Sequence, residues 1–272
     1  MYDQLLIDID KVLEQKAPDL HLPSCLVRYL KKIVHQDEMN AFLLSHKGEK
    51  DYVFLDHVVH DLLRSDAVVI NEERIPADDK PCLFVSTHPL GGLDGMINLL
   101  LLHSVRGREM KVVVNELLMY MRPLENLFVP VNVNGKQTRE QMASMQQMWE
   151  SEVDVLSFPA GKCARKQQGV ITEQPWHKSF VQKAITYQRD VVPIRFEGEN
   201  SRFFYNLALW RTRLGVKTNI EMLYLVDEMF GAKGKQFKVC IGERIPWQTY
   251  LDKSRTAQQW ADWTRLKAIS II

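Results

Sequence analysis

The sequence lacks an excess of charge of either sign, and it lacks an apolar run long enough to cross a membrane. Its 35 Lys and Arg residues nearly balance its 34 Asp and Glu residues, which leaves a formal net charge of +1. This balance excludes the global positive field that drives nonspecific nucleic-acid binding, so no nucleic-acid partner is expected. The longest uncharged apolar stretch, about residues 95–105, is far shorter than the roughly 20 residues that a transmembrane helix requires.

Cysteine is also scarce, and no pair of cysteines has the spacing of a metal or redox motif. Cys25, Cys82, Cys163 and Cys240 are spread along the chain without a CxxC pair, so we expect reduced thiols, no zinc site and no bound cofactor. The start of the chain, MYDQLLIDIDKVLEQK, has acidic residues inside its apolar pattern and lacks the basic start of a signal peptide. These absences predict a cytoplasmic protein.

What is present is the composition and the patterning of a folded α/β protein. Apolar residues make up 46% of the chain and charged residues 25%, which is typical of a globular domain. Residues 1–66 show helical spacing of apolar residues, which predicts an N-terminal helical leader that packs on the rest of the chain. From Lys80 onward, short apolar runs alternate with helical stretches, which predicts a mixed central sheet with helices on its faces over residues 67–272.

The segment LFVSTHPLGGLDG places a histidine and an aspartate around the end of a predicted strand. His88 follows the apolar run, Gly91 and Gly92 form a turn, and Asp94 precedes a predicted helix. A histidine with an ordinary pKa of about 6.5 can act as a general base, and an aspartate can orient its ring. The amides near the two glycines would then stabilise an oxyanion. The alternative is purely structural: His88 as a hydrogen-bonded strand end, Asp94 as the N-cap of the helix and the glycines as turn residues.

Four segments together resemble the lysophospholipid acyltransferase superfamily. The turn at 88–94 is similar to its histidine-aspartate motif, and Ser157-Phe-Pro-Ala-Gly161 is similar to its phenylalanine-proline-glycine motif. LFVPV at 127–131 and VVPI at 191–194 resemble its second and fourth motifs. The resemblance implies acyl transfer from a thioester of acyl carrier protein or coenzyme A, with His88 and Asp94 catalytic and Phe158, Pro159 and Gly161 binding substrate.

The segments HPLGGLDG, FPAGKCARK and FEGENSRFFY resemble more closely a branch labelled hemolysins, which includes enzymes that build bacterial aminolipids. Five residues separate His88 from Asp94, whereas four are usual in the superfamily, and Ala160 replaces a usual glutamate. An arginine that the superfamily uses near the second motif, and that is associated with a phosphate-bearing acceptor, is missing. The resemblance thus implies an amino-acid-type lipid acceptor and disfavours glycerol phosphate.

A basic cluster follows the third motif directly. Lys162, Arg165 and Lys166 offer positive charge at a strand end, and an arginine can hold a carboxylate bidentately. We therefore expect this cluster to bind the acceptor, although a grip on the acidic acyl carrier protein and a solvated basic turn remain open. A lipid-forming reaction also predicts peripheral contact with the inner face of the plasma membrane.

Other candidate residues favour structural interpretations. His57 and His60 form an HxxH pair on a predicted helix without further ligands at metal spacing, so a surface helix is preferred. Ser86 and Ser157 lie in no GxSxG elbow, and they are not expected to be nucleophiles. Four polar residues after the VVPIRF run would cap the next helix or line a pocket: Glu197, Glu199, Asn200 and Ser201. The apolar residues that follow have helical spacing, which favours a place in the core: Phe203, Phe204, Tyr205, Leu207 and Trp210.

The sequence therefore predicts an acyltransferase, with no bound metal or redox cofactor, that acylates a small amino-acid or lysolipid acceptor. Lysophospholipid or glycerol phosphate acylation is one alternative, and a noncatalytic module that binds acyl chains or carrier protein is another. A membrane-lysing protein has little support, because the chain has no strongly basic amphipathic segment.

Overall fold

A computed structural model describes residues 6–16, 22–132, 137–216 and 219–272. Within these ranges the strands are β1 to β9 in chain order: Asp66–Ile70, Leu83–Ser86, Met110–Asn115, Phe128–Val131, Asp154–Ser157, Arg165–Gln167, Val170–Thr172, Val191–Glu197 and Gln236–Ile241. The α-helices are α1 to α10: Ile9–Lys16, Ser24–Ile33, Gln36–Ser45, Asp51–His57, Leu93–Arg106, Arg139–Glu150, Ser179–Thr186, Arg202–Arg213, Leu225–Gly231 and Ala257–Ile269.

Seven strands form one mixed sheet in the order β1-β9-β8-β2-β5-β3-β4, and β6 and β7 form a separate antiparallel pair. The strands from β8 to β4 are parallel to one another, whereas β9 runs antiparallel to β8 and parallel to β1. The predicted α/β class with a mixed sheet is therefore confirmed. Because β2, β5 and β8 are parallel neighbours, the residues that follow them meet at one edge of the sheet.

The two faces of the sheet bury different apolar clusters, because successive strand residues point to opposite sides. Phe84 of β2 and Leu156 of β5 pack in one cluster, whereas Leu83 and Val155 pack in the other. Helix α5 and the N-terminal helices cover the first face, and α6, α7 and α10 cover the second. No helix in the described ranges is long and apolar enough to cross a membrane.

The N-terminal helices share the core of the sheet. Phe42, Leu43, Phe54 and Leu55 belong to the same buried cluster as Phe84. A domain boundary at residue 66 stays a prediction, and β1 begins there and pairs with β9.

Some element bounds differ from those that the sequence predicts. The predicted helical stretch over residues 26–44 is divided into α2 and α3, because His35 adopts a left-handed backbone with a φ of 51°. The next predicted helix changes to a π-helical turn at Val58–Leu62. Strand β1, the hairpin of β6 and β7, and helix α10 were not predicted.

Candidate functional site

The candidate site is the turn between β2 and α5. His88 follows β2 by two residues and is half-buried, and α5 begins at Leu93 with Gly92 as its N-cap. Asp94 is fully buried and lies in the first turn of α5, not at the cap. The simple capping role that the sequence left open for Asp94 therefore does not apply.

The Asp94 carboxylate holds both the His88 ring and the backbone of the turn. Its Oδ2 lies 3.1 Å from His88 Nδ1, and the same oxygen accepts hydrogen bonds from the amides of Leu90 (2.9 Å) and Gly91 (3.3 Å). A carboxylate at Nδ1 stabilises the tautomer that carries its proton there, which leaves the Nε2 lone pair to accept a proton. The geometry fits a general base with an orienting aspartate.

The electrostatics of the pair support this arrangement. Burial alone would lower the pKa of His88, but the charge of Asp94 and its hydrogen bond outweigh burial, so the pKa is raised. Burial alone would raise the pKa of Asp94, but His88 and the amides of Leu90 and Gly91 hold that pKa below its usual range. Asp94 therefore stays ionised beside a ring whose affinity for protons is enhanced.

The two glycines of the turn have different environments. Gly91 has a φ of +81°, a conformation that favours glycine, and its amide already donates to Asp94. The Gly92 amide has no acceptor among the residues that the structure describes. Of the two glycines expected to stabilise an oxyanion, Gly92 is thus the one whose backbone amide is available as a donor. The role of Gly91 is to allow the shape of the turn.

This difference predicts that alanine destabilises the protein at Gly91 and not at Gly92. A Cβ on Gly91 would lie 3.0 Å from a Leu225 side-chain carbon and 3.4 Å from the Cys163 Cβ, on a strained backbone. A Cβ on Gly92 would have no neighbour within 4 Å. We expect Gly91→Ala to lower the free energy of unfolding by about 1 to 3 kcal/mol, as measured by urea denaturation. Gly92→Ala is the matched control, and an equal loss in both variants would contradict this account.

The loop after β5 contacts the His88 turn directly. The Phe158 ring lies 4.3 Å from the His88 ring between centroids, and the Gly161 amide donates to the Phe158 carbonyl at 2.9 Å. Gly161 has a φ of +63°, which lets the chain reverse so that the Ala164 amide donates to the His88 carbonyl at 2.9 Å. Pro159 is buried, and its carbonyl accepts from the His177 amide. The two predicted motifs therefore form one site.

The members of the basic cluster are not equivalent. Arg165 donates through Nη2 to Glu221 (3.1 Å) and through Nη1 to the Cys163 sulfur (2.8 Å), and its guanidinium lies over the Phe204 ring. Glu221 is fully buried and is also bound by Arg211. The free carboxylate fork expected from Arg165 is thus absent from this structure.

The two lysines of the cluster differ from Arg165. Lys162 is exposed and Lys166 is half-buried, and neither has an acidic partner within the described residues. Their ammonium groups are therefore the positive charges of this loop that remain available to an anionic substrate.

Glu173 is a residue of the site that sequence patterns do not indicate. Its Oε2 accepts from the His88 amide (3.1 Å), and its Oε1 accepts from the Trp176 indole (2.9 Å). Burial raises the pKa of Glu173, although the hydrogen bonds from Trp176 and His88 oppose that rise. Glu173 comes 85 residues after His88, so only the folded chain brings the two together.

The polar residues after β8 divide between capping and support of the turn. The Ser201 side chain accepts from the Phe204 amide and caps α8, as expected. Asn200 donates to the Pro89 carbonyl at 3.3 Å, which ties the turn to the end of β8. Glu199 lines a neighbouring cavity of about 340 Å³, together with Asp227 and Glu228. Lys235 also belongs to this lining, and three acidic residues against one lysine disfavour a carboxylate ligand there.

The remaining candidates have structural partners. Ser86 is buried and accepts from the Asn98 side chain, and His60 binds Asp56. His57 binds Asp61 through Nδ1 at 2.6 Å, and His46 lies beside this pair. Ligand atoms of His46, His57 and Asp61 lie within 4.8 Å of one another, and of these three residues only Asp61 is exposed.

Comparisons with known proteins show the family of this chain. A family model described as acyltransferase matches residues 11–269. A lyso-glycine lipid O-acyltransferase of Bacteroides thetaiotaomicron is 45% identical over 96% of this chain and 95% of its own length. A protein of the same name from Phocaeicola vulgatus is 43% identical over 96% of this chain and 93% of its own length.

Among solved structures, the 1-acyl-sn-glycerophosphate acyltransferase PlsC of Thermotoga maritima aligns with 96% of this chain and 86% of that chain. It is 14% identical with a TM-score of 0.42, which is too low to carry an inference. The family model and the two relatives cover nearly the whole chain, and both relatives are named as enzymes. This chain therefore belongs to the acyltransferase family, and it is an enzyme of that class, as its sequence predicts.

Proposed function

We propose that this enzyme transfers a fatty acyl group from a thioester to a hydroxyl group of a lysolipid whose head group is an amino acid. The observation that carries the chemistry is the His88 Nδ1 contact with the buried Asp94 carboxylate at 3.1 Å. The two relatives named as lyso-glycine lipid O-acyltransferases support the class of acceptor and the ester product. The donor is acyl carrier protein or coenzyme A.

The reaction begins when His88 Nε2 removes the proton of the acceptor hydroxyl as its oxygen attacks the thioester carbonyl. The negative charge that develops on the carbonyl oxygen is stabilised by the Gly92 amide at the start of α5, where the helix dipole adds to the effect. The tetrahedral intermediate collapses, the carbon–sulfur bond breaks, and the imidazolium returns the proton to the leaving thiolate. Asp94 stabilises the imidazolium throughout.

A hydroxyl acceptor suits this site better than an amine acceptor. An amine is mostly protonated at neutral pH, so a single base would have to bind its minor neutral form. A hydroxyl group carries only the proton that His88 removes. The carboxylate of the head group would meet Lys162 and Lys166, which are the positive charges that the loop leaves available.

The acceptor is tested with purified enzyme and radiolabelled acyl carrier protein thioester or acyl coenzyme A. The panel holds N-acylated glycine, ornithine and serine that carry a hydroxyl group on the acyl chain, together with the free amino acids and lysophosphatidic acid. We expect ester formation with an N-acyl amino acid and little product from lysophosphatidic acid. A preference for lysophosphatidic acid would reject the proposed acceptor and favour the glycerolipid alternative.

A cellular measurement complements the assay. Lipid mass spectrometry of cells with and without the gene is expected to show loss of a diacylated aminolipid and accumulation of its mono-acylated precursor. Unchanged aminolipids would contradict the proposal. Because the reaction acts on lipid, we also propose that the enzyme works in peripheral contact with the inner face of the plasma membrane.

A further inference from the structure

Helix α8 exposes large apolar side chains that its sequence pattern assigned to the core. Phe204 and Tyr205 are buried, as predicted, but Phe203 is 51% exposed and Trp210 is 63% exposed. Leu214, directly after the helix, is 75% exposed. Positions 203, 210 and 214 lie on one face of a helix, since seven and eleven residues are close to whole numbers of turns. The prediction of a core role for Phe203 and Trp210 was wrong.

This apolar face continues onto α2. The Tyr224 ring lies 5.0 Å from the Phe203 ring and 6.4 Å from the Tyr29 ring, and the hydroxyls of Tyr29 and Tyr224 are 2.9 Å apart. Leu26 lies one turn before Tyr29 and is also exposed, as is Leu223. Together these residues form one outward surface, which we call the α2/α8 surface: Leu26, Tyr29, Phe203, Trp210, Leu214, Leu223 and Tyr224.

The charge of the same two helices is strongly one-sided. They contain no acidic residue, and their basic residues are Arg28, Lys31, Lys32, Arg202, Arg211 and Arg213. Lys31 binds Asp10, and Arg211 binds Glu221. The other four are exposed, and within the described part of the chain none has an acidic partner at ion-pair distance. This excess is a property of the two helices, whereas Asp227 and Glu228 line the cavity next to Phe203 and add acidic groups beside the surface.

The inner side of α8 contacts the residues that hold the catalytic turn. Phe204 and Tyr205 pack with Cys163, which lies in the loop after β5. The Tyr205 hydroxyl accepts from the Asn200 amide at 3.1 Å, and the Asn200 side chain donates to Pro89, next to His88. The α2/α8 surface therefore lies on the outer side of a helix whose inner side supports the site.

We propose that the α2/α8 surface docks on a bilayer that contains anionic lipids and thereby places the catalytic turn near the membrane. Aromatic rings and leucines enter the interfacial region, and the four exposed cations meet lipid phosphates. An acidic acyl carrier protein would use the cations, but it gives no reason for the exposed Phe203, Trp210 and Leu214. The bilayer accounts for both features. This proposal rests on the proposed lipid acceptor, and its test is separable from that proposal.

The test measures binding of the full-length enzyme to vesicles without substrate, by flotation. Vesicles of phosphatidylglycerol and phosphatidylcholine are compared with vesicles of phosphatidylcholine alone. We expect Trp210→Ser and Leu214→Ser each to lower the partition coefficient on the order of tenfold. Leu266→Ser is the matched control, since Leu266 is 56% exposed on α10, and α10 packs in a buried cluster that includes no residue of α2 or α8. This variant is expected to bind as the parent does.

Charge is tested separately. The double variant Arg202→Glu, Arg213→Glu is expected to lose the binding that depends on phosphatidylglycerol and on low salt, while binding to neutral vesicles changes little. Trp210 fluorescence offers a second signal, because the other five tryptophans are buried or half-buried. Its emission is expected to shift to shorter wavelength on vesicle binding, and the shift is expected to be absent in Trp210→Phe.

Several results would overturn the proposal. Unchanged vesicle binding in Trp210→Ser and Leu214→Ser would reject it, if thermal unfolding shows that both variants are folded. A loss confined to the Michaelis constant for acyl carrier protein thioester would assign the surface to that protein, and a change in native mass would assign it to self-association. If the variants lose vesicle binding but the parent acylates no aminolipid, the surface stands and the proposed function fails.

Discussion

His88→Ala is expected to lower kcat by about 100- to 10,000-fold, which is the usual contribution of a general base. The alanine variant has no group that can accept the hydroxyl proton, although the Gly92 amide and the bound thioester remain. The measurement is single-turnover acyl transfer with saturating donor, so that product release does not mask the chemical step. Retention of kcat within a few fold of the parent would remove His88 from the mechanism.

The fold is expected to tolerate this change. The Asp94 carboxylate keeps its hydrogen bonds from the Leu90 and Gly91 amides when the imidazole is absent, so the turn retains its main support. The His88 backbone is held by Glu173 and Ala164, and neither contact involves the ring. Circular dichroism and urea denaturation therefore separate a catalytic loss from unfolding. A large loss of stability would leave kcat uninterpretable for alanine, and His88→Gln would then be the informative variant.

Asp94→Asn separates the electrostatic role of the aspartate from its structural role. Asparagine retains an oxygen acceptor for the turn but carries no charge to stabilise an imidazolium. In the parent enzyme the pKa of His88 is raised, because the attraction of Asp94 outweighs the effect of burial. A base works in its neutral form, so the parent should lose kcat/KM as the pH falls through this raised pKa. In Asp94→Asn burial acts without that attraction, so the loss should move to lower pH. An unmoved pH profile would show that Asp94 acts on the turn alone.

The sequence predicted the strand, the turn at 88–92 and the start of α5 because the signals for these elements are local. An apolar run, two glycines and an aspartate within thirteen residues define a strand, a turn and a helix start, and parallel neighbours bring the segment FPAG to the same edge. The same locality explains why the alternation of strands and helices gave the mixed α/β class. The hydrophobic pattern and the residue preferences of turns both act over a few residues, so the sequence alone shows them.

The features that the sequence did not predict depend on contacts between residues that are distant along the chain. Glu173 supports the His88 backbone across 85 positions, and Glu221 pairs with Arg165 across 56. No periodicity or spacing predicts either contact. The aromatic residues of α8 show a related limit. Helical spacing correctly predicted that Phe204 and Tyr205 are buried. It could not predict that Trp210, on the opposite face, is exposed in the described chain.

Arg165→Glu is expected to lower the free energy of unfolding by about 3 to 5 kcal/mol, the usual cost of breaking a buried ion pair from one side. Glu221 is fully buried, and the Arg165 side chain is only 14% exposed, so water cannot replace the lost partner. The new carboxylate would also lie beside Glu221, whose charge Arg211 alone would then balance. Urea denaturation measures the loss.

Two variants make this result specific. Arg165→Lys keeps the charge but cannot reach Glu221 and the Cys163 sulfur together, so an intermediate loss is expected. Lys166→Glu applies the same charge reversal one residue later, where the described residues offer no acidic partner, and it should change stability by less than about 1 kcal/mol.

The two charge reversals should differ in their effect on the acceptor Michaelis constant. Lys166→Glu is expected to raise the Michaelis constant of the acceptor by about tenfold, because a carboxylate head group loses an attractive charge and gains a repulsive one. Arg165→Glu should lose active enzyme through unfolding while the folded fraction keeps its acceptor Michaelis constant. A stable Arg165→Glu variant with a raised acceptor Michaelis constant would contradict the structural role of Arg165. That result would restore the carboxylate clamp that its sequence position suggests, and Arg165 would then have to exchange Glu221 for the substrate carboxylate during the reaction.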